Sequence, residues 1–227
     1  MKKNILILIL ITTWLLSCKQ DNNAIPNTVD KETLYSVKNI QRKKRLTNHN
    51  DKDIYTKYKY IDSNGASLII QNSFPKGGNK YTDPNRVQYV YAVFWTRITN
   101  ETDNSLELKI DFPIDSYEIP ALPGKYYKTL IPSDTMTIEK APLFNYGLTN
   151  LESFLDNNIH KSPSLKRIIK PKESSGFYVV VLRLTGGTQY GILRTELSLK
   201  GQNLFYKIRD KEIHCGSINL KNLTLHK

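Results

Sequence analysis

Between Leu106 and Phe112 apolar and polar residues alternate without a break. Leu106, Leu108, Ile110 and Phe112 fall on one side, and Glu107, Lys109 and Asp111 on the other. Successive side chains of a strand point to opposite faces, so this run predicts a strand with one face in a core and the other in water. Short apolar or alternating runs recur from Ile54 onward, bounded by Gly, Pro, Asn and Asp. That pattern predicts an all-β sandwich or barrel. Residues 55–61 and 66–71 flank Ser63-Asn64-Gly65, and Asn-Gly is a strong hairpin turn. Further strands are expected over residues 87–99, 126–131, 135–139, 177–184, 190–199, 203–208 and 213–220. Pro75-Lys76-Gly77-Gly78 is expected to break the chain. Pro123-Gly124, Gly186-Gly187 and Gly201-Gln202 should turn it. One helix is expected after Thr149-Asn150-Leu151-Glu152, which has capping-box spacing. Leu151, Phe154 and Leu155 would give it an apolar face, Asn157 and Asn158 would stop it, and it should cover an end or edge of the sandwich.

The N-terminus has a different pattern. Lys2 and Lys3 precede an apolar run from Ile5 to Leu16, interrupted only by Thr12 and Thr13. A charged start followed by a short apolar stretch predicts a secretory signal peptide. The run is shorter than the roughly 20 residues that span a bilayer. It ends in Leu15-Leu16-Ser17-Cys18, which resembles the lipobox of bacterial lipoproteins. The resemblance covers the first eighteen residues. It implies cleavage before Cys18, diacylation of its thiol and acylation of the new amino group. Two or more acyl chains hold a protein stably where one is marginal. Lys19 rather than Asp follows the cysteine, which by the same resemblance points to the outer membrane. Cys18-Lys19-Gln20-Asp21 is partly similar to the surface-export signal of Bacteroidota lipoproteins, although only Asp21 is acidic. Periplasmic and surface-facing placement both stay open.

Residues 19–53 are rich in Asn, Lys, Asp and Thr and carry no sustained apolar period, so they read as a tether. The expected organisation is a signal peptide over 1–17, a lipidated cysteine and flexible basic tether over 18–53, and one β-sandwich domain over 54–227. Formal charge is +12, and loss of Lys2 and Lys3 with the signal peptide lowers it to +10. The dense basic run Arg42-Lys43-Lys44-Arg45 falls in the tether, where it could touch anionic head groups. Nucleic acid is a poor partner for an exported chain. The cysteines are Cys18 and Cys215. With Cys18 acylated, Cys215 has no disulfide partner, so the domain must rely on its core.

Residues 87–99 hold the most pointed chemistry. Val90, Ala92, Phe94 and Ile98 share one face. Tyr89, Tyr91, Val93 and Trp95 share the other, with Arg97 beyond. Open sandwiches usually turn a polar face to water. The aromatic face is therefore either a stacking platform for a sugar or peptide, clamped by Arg97, or packing beneath a helix or long loop. Asp134-Thr135-Met136 resembles the short acceptor motif for protein O-glycosylation in Bacteroidota, which makes Thr135 a candidate. His214 and Cys215 are neighbours on a strand and should point to opposite faces, so thiol catalysis is not expected. His49, His160, His214 and His226 have no metal-ligand spacing, and no cofactor motif is present. Asp111, Asp115 and Glu118 are close in sequence and could serve a hydrolase if a cleft joined two of them.

Residues 100–112, the Leu130-Ile131-Pro132 break and the strand after 171–176 are similar to immunoglobulin-like accessory domains of bacterial surface lipoproteins. The paired cysteines of immunoglobulin domains are missing. The expectation is an antiparallel, immunoglobulin-like β-sandwich with one short helix, anchored to the bilayer through Cys18. It would act as a non-enzymatic binding or accessory protein for an envelope protein or glycan. A glycan-binding lipoprotein using the aromatic face and a carboxylate-dependent hydrolase are the alternatives.

Overall fold

The computed structural model describes residues 40–46, 52–113, 117–120, 122–185 and 193–219. The signal-peptide segment, Cys18, the tether up to residue 39 and Asp115 lie outside the described residues. In chain order the strands are β1 (Ile40–Arg45), β2 (Ile54–Asp62), β3 (Ser67–Ser73), β4 (Lys76–Thr82), β5 (Gln88–Asn100), β6 (Leu106–Asp111), β7 (Glu118–Ile119), β8 (Leu122–Tyr126), β9 (Lys128–Leu130), β10 (Ser164–Ile169), β11 (Ser174–Leu184), β12 (Thr195–Lys200), β13 (Asn203–Ile208) and β14 (Lys211–Ile218). Helix α1 spans Leu151–Asn158.

All strand pairs are antiparallel and form two main sheets, not closed into a barrel. One runs β1-β2-β3-β5-β11-β9, with β4 also on β5, and the other runs β10-β6-β14-β13-β12. The small β7-β8 ribbon is separate. The fold is therefore the expected mainly-β sandwich with one short helix. The predicted alternation holds in β6: Leu106, Leu108 and Ile110 are buried, and Glu107, Lys109 and Asp111 are exposed. These apolar residues meet Phe94 and Ile98 of β5, Val179 and Val181 of β11, and Leu204 and Tyr206 of β13 in the inter-sheet core.

A second core lies on the outer face of the β5-β11 pair. It contains Tyr89, Tyr91, Val93, Trp95, Tyr178, Val180 and Leu182. Over them pack Met136, Ala141, Tyr146, Leu148, Leu151, Leu155 and Ile159 from residues 131–161. The molecule thus has a third layer, and β5 and β11 are buried on both faces. That explains Val179-Val180-Val181-Leu182, a continuous apolar run where a half-buried strand would alternate.

The covering layer is held by specific bonds. The Tyr146 hydroxyl donates to the Phe74 carbonyl at 2.6 Å, and the Tyr178 hydroxyl donates to the Tyr146 carbonyl at 2.8 Å. The Lys76 ammonium donates to the carbonyls of Ala141 and Leu143 and lies 4.3 Å from the centre of the Tyr146 ring. These contacts support left-handed backbone at Asn145, Tyr146 and Gly147, with φ of 45°, 57° and 71°. Such geometry costs a non-glycine residue on the order of 1 kcal/mol or more.

Several local expectations are corrected. The basic run in the tether is not all linker: Ile40–Arg45 pairs with β2 from Tyr58 to Asp62. The ordered domain therefore begins before residue 54. The Lys43 ammonium lies 3.7 Å from the Tyr58 ring centre, and burial lowers its pKa. Lysines on an edge strand also discourage pairing with other chains. Such a strand has no apolar period of its own to betray it.

Lys76-Gly77-Gly78 opens β4 instead of ending the sheet. β3 pairs with the C-terminal half of β5 and β4 with its N-terminal half, so one edge of β5 is served twice. The strand expected over 135–139 is reduced to a single bridge, Thr135 to Phe177, followed by a 3-10 turn at Ile138–Lys140. The chain leaves the sheet there to cover its face. Helix α1 lies over that face, not an end or edge. Its capping box does not form: Asn150 is the N-cap, left-handed at φ 53°, with no side-chain cap bond.

Candidate functional site

The aromatic face of β5 is covered. Tyr89 and Tyr91 are each 6% exposed and Trp95 is 1% exposed. Trp95 meets Tyr146 edge-on, with ring centres 6.2 Å apart and planes at 87°. Tyr89 stacks with Tyr81 at 6.2 Å, and the Tyr91 hydroxyl accepts from the Asn79 amide at 3.2 Å. No ring is free to stack on a sugar, so the platform reading is corrected to packing. The cause is the third layer, which local alternation cannot reveal. Arg97 donates to the Ser174 hydroxyl at 3.1 Å. Thr135 is exposed, and its carbonyl accepts from the Lys140 ammonium at 2.9 Å.

The remaining candidates separate. Cys215 is buried, and its thiol donates to the Leu204 carbonyl at 3.5 Å. Burial first, and the charge of Glu212 second, push its pKa up to about 12. A thiol so disposed is a poor nucleophile. His214 points out of the sheet, against the Phe205 ring. Asp111 is exposed and pairs with Lys109 at 3.3 Å. Glu118 accepts from the Gly124 amide at 2.7 Å, bracing the β7-β8 ribbon. These two carboxylates thus have separate local partners. Among the described residues no group of His, Cys, Asp or Glu is arranged to hold a metal ion.

A cleft that sequence patterns did not single out lies at one end of the sandwich. Its volume is about 380 Å³. It arises because β5 loses cover toward its N-terminal half: Phe94 and Ile98 are buried, but Val90 and Ala92 on the same face are only half-buried. Two features keep it open. Ala92 offers one methyl group, and the neighbouring strand is bulged at Gly77-Gly78, where the register with β5 shifts. Those glycines have φ of 112° and 90°, outside the comfortable range of other residues, and give the wall no side chain.

Val181 lies opposite Ala92 in the ladder, and Arg183 lies opposite Val90. Phe177, Val179 and Val181 face the inter-sheet core. By the two-residue period Arg183 faces the same way and enters the cleft lining. A guanidinium at an inward register position is unusual, since uncompensated burial of charge is costly. Leu193 and Arg209 line the cleft from the second sheet's side. The Arg209 amide donates to the Arg194 carbonyl at 3.1 Å, so a third arginine adjoins this end. Arg194 itself lies 4.8 Å from the Phe74 ring centre. No described Asp or Glu lines the cleft.

No protein-family model, curated protein or solved structure matches the chain.

Proposed function

We propose that the chain is a lipid-anchored protein of the bacterial envelope that binds a ligand without transforming it, with the end cleft as the seat. The observation that supports this reading is the cleft itself. At about 380 Å³ it lies within the 300–1,000 Å³ typical of small-molecule sites. Its lining combines aliphatic surface with a few polar groups, a chemistry suited to holding and orienting. In this reading acylated Cys18 joins the protein to the outer membrane, and residues 19–39 connect the bilayer to β1. The sandwich then works as an accessory domain, the role the immunoglobulin-like resemblance implies.

Native mass spectrometry of the protein purified from its own membranes tests the binding role. A small adduct is expected, and Ala92→Leu should lose it by filling the cleft while melting near the wild-type temperature. A wild-type spectrum free of any adduct across mild detergents, or an adduct unchanged by Ala92→Leu, would refute the cleft as the seat. The anchor is checked by metabolic labelling with palmitate. Label on the wild type and none on Cys18→Ser is expected, and an unlabelled wild type ends the lipoprotein reading.

A further inference from the structure

We infer that the cleft takes a small amphiphile with an oxyanion head, carboxylate or phosphate, whose apolar part lies along Val90, Ala92 and Val181 and whose head meets Arg183 and Arg209. This rests on the cleft being the binding seat and adds the chemical class of the occupant.

Shape and polarity are divided along the cleft. Val90, Ala92, Val181 and Leu193 give an aliphatic wall, the surface an alkyl or small apolar group fills with gain. Three cations line it: Lys76 of β4, which pairs with Asp53 at 3.6 Å, Arg183 at the end of β11, and Arg209 just after β13. Guanidinium is the side chain best matched to planar or tetrahedral oxyanions, because its fixed fork makes paired N–H to O bonds. Among the described residues no carboxylate forms an ion pair with Arg183, and no acidic side chain lines the cleft. An anionic head would therefore supply the Arg183 guanidinium with a counter-charge, an attraction that low-dielectric walls strengthen.

A neutral sugar fits less well. Its hydroxyls need acceptors as well as donors, and apart from Tyr91 and Tyr127 the polar side chains of the lining only donate. Size sets the length. A water in the liquid occupies about 30 Å³, so 380 Å³ takes about a dozen water-sized groups. A head with a chain of roughly ten carbons is of that order. The two sources of such a head are a fatty-acid-like carboxylate and a lipid-like phosphate monoester.

The test uses the mature lipidated protein in phosphatidylcholine nanodiscs, with empty nanodiscs subtracted. Isothermal titration is run with decanoate, decyl phosphate, decanol and decyltrimethylammonium. Decanoate or decyl phosphate should bind saturably and at least tenfold more tightly than decanol, with the cationic probe weakest. The tighter of the two acids assigns the head. Arg183→Gln should erase most of the preference over decanol while leaving decanol binding within about threefold. Arg183→Lys should restore part of it, which guards against a folding artefact. If decanol or the cation binds as well as the acids and Ala92→Leu blocks it, the oxyanion assignment fails and the binding seat survives. If none of the four probes binds, the amphiphile assignment is overturned, and the adduct experiment decides the seat separately.

Discussion

Removing the Trp95 side chain should be among the most damaging single changes in the domain. The ring is 1% exposed and contacts Tyr146 edge-on. Truncating a buried Trp to Ala costs about 3–5 kcal/mol, combining lost transfer energy with the cavity left behind. The upper part of that range is expected here. Tyr146 is tied to Phe74 and Tyr178 by hydrogen bonds and cannot collapse into the space. For a domain of this size each kcal/mol moves Tm by about 2–4 °C, so Trp95→Ala should melt roughly 10–20 °C lower. Trp95→Phe behaves differently. It loses some volume, but it also removes an indole N–H that is buried with no acceptor among the described residues. Relief of such a group is worth about 1–3 kcal/mol, which offsets much of the lost packing. Trp95→Phe should therefore fall within about 1 kcal/mol of wild type. Urea unfolding followed by circular dichroism measures both. A surface tryptophan would tolerate alanine within about 0.5 kcal/mol. A cost below about 1 kcal/mol for Trp95→Ala, or equal costs for the two variants, would refute the covered-face architecture.

Other expectations follow from close contacts and charge. A Cβ on Gly176 would sit 2.3 Å from the Met136 carbonyl oxygen, and one on Gly216 would sit 2.0 Å from that of Lys109. Alanine at either should cost about 2 kcal/mol or more in thermal melts. Gly65→Ala meets nothing within 4 Å and strains only φ, so a loss near 1 kcal/mol is expected. Equal melting of all three variants would contradict these packing distances. In Cys18→Ser protein the remaining thiol is Cys215, whose pKa burial lifts from 9.0 to about 12. A thiol-specific chromogenic reagent at pH 8 should label it at least about a hundredfold faster in urea than in the native protein, because the thiolate is the reactive form. Glu101 accepts from Lys59 at 2.7 Å and from Ser67 at 2.5 Å, which holds its pKa below 4.5. A carboxylate depressed by folding stabilises above its unfolded pKa and loses that contribution as pH falls through the folded one. Glu101→Gln should thus be less stable at pH 7, by under about 1 kcal/mol for so exposed a pair, and the gap should close below pH 4.5. A gap that widens in acid would reverse the sign argued here.

Much of the sheet structure was legible locally. The alternation in β6, the Asn64-Gly65 turn between β2 and β3, and the division of β5 into two faces all appear as written in the chain. Strands whose partners carry the stabilisation were not. β10 exposes Ser164, Lys166 and Ile168, while inward Arg167 donates to the Gly176 carbonyl at 2.7 Å. Its pattern shows no apolar stripe because part of its hold is a hydrogen bond to β11 in the other sheet. β1 is basic for the same kind of reason: its backbone pairs with β2, and Lys43 rests on a tyrosine ring. The cleft was equally hidden. Ala92, Gly77 and Arg183 lie on three different strands, and only strand pairing sets them side by side.

By itself, then, the sequence determined which side of each regular strand a residue takes, since backbone pleating is a local property with a period of two. It placed Tyr89, Tyr91 and Trp95 on one face before any fold was known. Tertiary structure decided whether that face meets water. Residues 131–161 fold back over it because a sheet with two apolar faces is stable only when both are covered, and the covering segment is remote in the chain. The same rule left Val90 and Ala92 half-covered at one end of the sandwich, where Arg183 and Arg209 now stand.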